Sequence, residues 1–135
     1  MSNTGRFKLE KNEHFVEHLI ALGIPYERAR IVDSMRPNLE LTIDGDRLTI
    51  ISFSGDYKQE SNLIFDQEVD ETVAAEMTIK SVAKRKGDNK IEIYSRGNNG
   101  EKGHRLFEFF GETMIMSLSN DLESIPVAKR YYRKI

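Results

Sequence analysis

Cysteine is missing from this chain, and so is any apolar run near the roughly 20 residues that span a bilayer. Without cysteine there is no disulfide, no thiolate metal site and no cysteine nucleophile. The composition suits a reducing compartment. Neither sign of charge prevails: 20 Lys and Arg stand against 22 Asp and Glu, a formal net charge of −2. No field gathers nucleic acid, and no basic tail is present. The start, Met1-Ser2-Asn3-Thr4-Gly5, has no apolar signal core and no glycine at position 2 for myristoylation. These absences predict a soluble, cytoplasmic protein.

The usual signatures of catalysis are missing too. The chain holds no Gly-x-Ser-x-Gly elbow, phosphate loop or His-Glu-x-x-His motif. Its histidines are His14, His18 and His104. His14 and His18 stand four apart and fit one helical face, which is one way to hold a metal. No further ligand pattern lies near them, and a solvated helix face is the simpler reading. No enzyme activity, catalytic residue, metal or cofactor is expected.

What is present is mostly periodicity of two. The 135 residues fit one domain over 1–135, with 39% hydrophobic and 31% charged residues and no linker or repeat. Residues 6–9 alternate like a strand. Asn12 then reads as the cap of a helix whose apolar positions are Phe15, Val16, Leu19, Ile20 and Leu22. Gly23 and Pro25 end it. A second helix runs over 26–35, with Ala29, Val32 and Met35 toward one face, and Arg36-Pro37-Asn38 stops it. Leu39, Leu41 and Ile43 then alternate with polar residues up to Asp44-Gly45-Asp46, a tight-turn signal. Further strands are predicted at 47–54, 57–65, 68–71, 76–84, 90–96, 104–110, 113–119 and 125–133.

One strand, two helices and about nine more strands predict an all-β meander. A meander this long leaves two exposed edges unless it closes, so a barrel is the natural solution. Ten strands enclose more space than the eight that side chains nearly fill. The interior becomes a cavity, and the helix pair can cover one end.

Several short motifs, in order, resemble one family. They are Gly5-Arg6-Phe7-Lys8-Leu9-Glu10, Asn12-Glu13-His14-Phe15, Arg36-Pro37-Asn38-Leu39-Glu40-Leu41, Asp44-Gly45-Asp46, Phe65-Asp66-Gln67-Glu68-Val69-Asp70-Glu71 and Arg130-Tyr131-Tyr132-Arg133. Together they resemble the intracellular lipid-binding proteins, which include fatty-acid-binding and cellular retinoid-binding proteins. The resemblance runs end to end. It implies a ten-stranded antiparallel up-and-down β-barrel of the calycin, lipocalin-like type, with a helix-turn-helix lid after the first strand. It also implies a monomeric, non-catalytic carrier of a long-chain fatty acid, or alternatively of a retinoid or other neutral hydrophobic ligand.

Arg130 and Tyr132 lie two apart on a strand and share a face. Spacing alone also fits an exposed basic strand over 129–134 with Tyr132 packed. The resemblance turns the pair inward, where the guanidinium pairs a carboxylate and the phenol donates a further bond. It also implies a second inward arginine, but alignment on Gly111-Glu112 puts Phe107 there. Arg105, two residues earlier, is the candidate replacement. Met77 stands where some members carry a loop arginine, and the hairpin over 120–124 is longer than the family pattern. The resemblance puts Tyr57 at an aromatic gate. Leu19, Val32 and Met35 are expected at the portal, with Leu39, Leu41, Ile50, Met116 and Leu118 as cavity walls and Phe15 under the lid. Glu13, Glu17 and Glu27 dilute Arg28 and Arg30 on the lid. Transient membrane contact fits better than anchoring.

Overall fold

The computed structural model describes residues 4–73, 77–98, 100–120 and 124–135, without the side chains of Val73 and Met77. The elements run β1 (Gly5–Glu13), α1 (Phe15–Ala21), α2 (Tyr26–Met35), β2 (Asn38–Asp44), β3 (Arg47–Ser54), β4 (Tyr57–Ile64), β5 (Val69–Val73), β6 (Met77–Arg85), β7 (Lys90–Arg96), β8 (Lys102–Phe110), β9 (Thr113–Asn120) and β10 (Ala128–Lys134). The ten strands form one sheet in the order β4-β3-β2-β1-β10-β9-β8-β7-β6-β5, each paired antiparallel to its neighbour.

First and last strands meet, and the sheet curls into a nearly closed barrel. Its outer members, β4 and β5, face each other without a regular ladder. Gln59 Nε2 crosses between them to the Thr72 carbonyl at 2.7 Å, and Ser61 Oγ donates to Glu71 Oε2 at 2.6 Å. Side chains complete the wall where backbone pairing stops. A parallel bridge from Phe65 to Ala83 finishes the seam.

The expected architecture therefore holds, and the largest difference lies at the first helix. Asn12 does not cap it. β1 bulges between Leu9 and Lys11, then continues pairing with β10 through Asn12↔Arg130 and Glu13↔Lys129. His14, in the left-handed conformation at φ 57°, precedes the helix, which begins only at Phe15. Strand pairing wins here because it satisfies backbone groups that a marginal seven-residue helix would leave to water. The last strand starts later than expected. Ile125 is buried ahead of it, and Pro126 has no N–H to give a ladder. The expected start at Glu76 and the body of the long hairpin over 120–124 lie outside the described residues.

Period-two alternation now has a physical meaning. Phe7, Leu9, Leu41, Leu48, Ile93 and Met114 all point inward and belong to one buried cluster. Of these, Phe7, Leu48 and Met114 lie toward the end away from the helices, near the β2–β3 and β8–β9 turns. The helices cover the other end. His18 on α1 donates from Nδ1 to the Pro126 carbonyl at 2.7 Å, and Asn12 Nδ2 donates to Asp33 Oδ1 on α2 at 2.9 Å. His14 and His18 thus do not share a solvated face: His18 is buried under the lid, while His14 meets Glu17 in solvent.

Replacing Met114, fully buried, by alanine is expected to cost about 2–5 kcal/mol in urea denaturation. Ile31→Ala, on the exposed side of α2, should stay within about 0.5 kcal/mol.

Candidate ligand-binding site

Among the described residues, Arg130 and Arg105 reach the inside of the barrel, and their surroundings differ. Arg130, on β10, sits beneath the lid. Its guanidinium lies 4.2 Å from the centre of the Phe15 ring, and its Nε donates to Asn12 Oδ1 at 2.9 Å. The β1 bulge places Asn12 there. The Nη2 atom is buried and has no hydrogen-bond partner among the described residues. Leaving such a donor unmet costs roughly 1–3 kcal/mol, more for a charged group. Tyr132, two residues on, faces the same way and is 1% exposed. Burial pushes its phenol above the ordinary range, and the nearby Arg130 charge opposes this. The phenol is therefore neutral at physiological pH and keeps a proton to donate.

Arg105, on β8, also faces inward, but its charge is already answered. Nη1 donates to Glu71 Oε2 at 3.0 Å, and Nη2 donates to Oε1. Glu71, 2% exposed, further accepts from Ser61 Oγ at 2.6 Å and Ser81 Oγ at 2.7 Å. Burial pushes the Glu71 carboxyl upward. Bonds and charge from Arg105, with the two serines, outweigh this and hold it below the ordinary carboxylate range. Arg105 thus does not offer a free cation in place of the missing second arginine, because Glu71 neutralises it. Glu71 was not singled out from sequence. Its signal was an acid two residues after Val69, on the alternation that turns inward.

The other expected residues divide by depth. Leu39, Leu41, Ile50, Phe107 and Met116 are buried in the interior, with Leu118 packed against them. Phe15 is buried under the lid as expected. Leu19 and Leu118 line a pocket of about 340 Å³ at the mouth, between α1 and β6–β9, which also reaches Arg105 and Ser95. Val32 is half-buried on α2, while Met35 and Tyr57 are exposed at the rim. The Met77 side chain lies outside the described residues.

Arg105→Met should strand the Glu71 charge and cost about 3–5 kcal/mol at pH 7. Adding Glu71→Gln should restore most of that. The pH dependence has opposite signs. In the parent chain, the stabilisation from ionised Glu71 is present above about pH 4.3 and is lost as pH falls through its depressed folded value. In Arg105→Met, burial raises the carboxyl against only the two serine bonds, so urea stability should rise on acidification from pH 7 toward about 5.

No family model matches the chain. Individual relatives do. It is 30% identical over 117 residues to a fatty acid-binding protein of Lepidoglyphus destructor, covering 87% of this chain and 88% of that one. It is 28% identical over 126 residues to a fatty acid-binding protein of Tyrophagus putrescentiae, covering 93% and 95%. Among solved structures, the REP1-NXSQ fatty acid transporter superposes with a TM-score of 0.86 at 24% identity over 98% of this chain and 95% of that one. Ligand-free lipid binding protein 8 of Caenorhabditis elegans gives 0.85 at 16% identity over 98% and 94%. The chain belongs to the fatty-acid-binding protein family, whose members are lipid carriers and not enzymes.

Proposed function

We propose that this protein carries a long-chain fatty acid inside the barrel, with the carboxylate at Arg130, and passes it between membranes or enzymes. One observation carries the reading: the Arg130 Nη2 is buried, charged and without a hydrogen-bond partner among the described residues. A carboxylate supplies both the acceptor and the countercharge that such a group lacks. The neutral phenol of Tyr132, on the same face, can donate a second bond to it. The inward ionised side chains named above, Arg105, Glu71 and Arg130, sum to one positive charge, which suits one acid.

The acyl chain would run among the apolar walls, Leu39, Ile50, Phe107, Met116 and Leu118. Each Å² of apolar surface removed from water contributes roughly 25 cal/mol, so a chain of a few hundred Å² supplies several kcal/mol before ordering costs. The chain gives most of the affinity, and Arg130 selects acids. Exposed Ile20, Leu22, Tyr26 and Ile31 on and beside the lid helices support brief contact with a membrane during delivery. The protein acts in the cytoplasm as a monomer.

The test uses displacement of a fluorescent fatty acid. Arg130→Ala should weaken binding of a free acid by about 10-fold or more, the worth of a hydrogen bond to a charged group, and leave its methyl ester nearly unchanged. Equal losses for acid and ester would turn the assignment toward a neutral ligand.

A further inference from the structure

We propose that Arg105 and Glu71 form a second, charge-neutral polar subsite, which takes a neutral oxygen carried on the acyl chain. The ligand would then be an oxygenated fatty acid, bearing a hydroxyl or carbonyl group, and not a plain one. This rests on the carboxylate being held at Arg130.

The argument begins with a count of donors and acceptors. Glu71 uses both oxygens twice: Oε1 accepts from Arg105 and Ser81, and Oε2 from Arg105 and Ser61. It has no capacity left for a ligand. A guanidinium has five N–H donors. In Arg105 two point at Glu71, and a third reaches Ser95 Oγ at 3.4 Å. The other two have no partner among the described residues. They belong to a side chain that is 21% exposed and lines the pocket at the mouth. Arg105 therefore keeps donors to offer while its charge is balanced.

That combination selects a ligand group by exclusion. A second carboxylate would bring its charge against Glu71, where like charges in a poorly solvated site repel. A methylene group would cover the donors without accepting from them. A hydroxyl or carbonyl oxygen accepts a bond and adds no charge.

The barrel wall sets the distance between the two points. Arg130 lies opposite Met116 and Arg105 opposite Leu118, on either side of β9. Both face inward. With strands about 4.8 Å apart and about 3.4 Å per residue, their Cα atoms stand roughly 12 Å from each other. A ligand leaving Arg130 crosses the Met116 and Leu118 side chains and then meets Arg105.

The experiment titrates the full chain with stearic acid, a set of positional isomers of hydroxystearic acid, and the dicarboxylic acid of the same length. At least one isomer should bind about tenfold more tightly than stearate, and the diacid more weakly. In the double variant Glu71→Gln, Arg105→Met, which removes both charges together, the ratio of that isomer to stearate should fall to about one, with the fold checked by circular dichroism. Hydroxystearates that bind no better than stearate would overturn the subsite and leave fatty-acid carriage standing. A preference that survives in the double variant would overturn it as well. Binding of neither class would overturn the carriage reading, and this inference with it.

Discussion

Everything inside this molecule depends on the pairing of β1 with β10. Without that ladder the strands would fall into two open sheets, β1–β4 and β5–β10, each with its apolar face in water, because β4 and β5 share no ladder. With it, the same face becomes an interior, and residues from the two ends of the chain become neighbours. Asn12 and Arg130 meet only because of this closure. The bulge in β1 then matters in its own right. It shifts the register by one residue and turns Asn12 toward the guanidinium after the regular alternation of Phe7 and Leu9 has ended.

The interior treats its two cations differently, and burial explains why the difference matters. A lone charge in a poorly solvated place is costly, and a well-bonded pair is tolerable. Arg105 has Glu71, and Glu71 has two serines beside it. Arg130 has an aromatic ring and an amide oxygen, neither of which cancels its charge. One site is complete in charge and the other is not. That unanswered charge is why we propose the second as the place for a headgroup.

The Glu71 cluster also has a structural task. Ser61 belongs to β4 and Glu71 to β5, the two strands that share no ladder. Their hydrogen bond, with that of Gln59 to the Thr72 carbonyl, ties the wall at its seam. Arg105 reaches the same carboxylate from the third strand beyond β5, across β6 and β7. Changes in this cluster therefore touch the seam of the barrel as well as its lining.

Much of the fold is written in local pattern. Alternation at Leu39, Leu41 and Ile43, the turn at Asp44-Gly45-Asp46 and the helical spacing around Ala29 each follow from side-chain geometry along a few residues. The strand count, the inserted helix pair and the shared face of Arg130 and Tyr132 were legible for the same reason. Local pattern misplaced the start of α1, where Asn12 reads as a helix cap but instead continues a ladder with a strand more than 100 residues away. It also left Arg105 as a free cation, because nothing near position 105 announces that Glu71 comes within bonding distance after the sheet has curled. Period and turn chemistry are properties of neighbours in the chain, so the sequence by itself determined which face of each strand would be buried. Charge balance is a property of neighbours in space, so only the closed barrel decided which buried arginine still needs a partner.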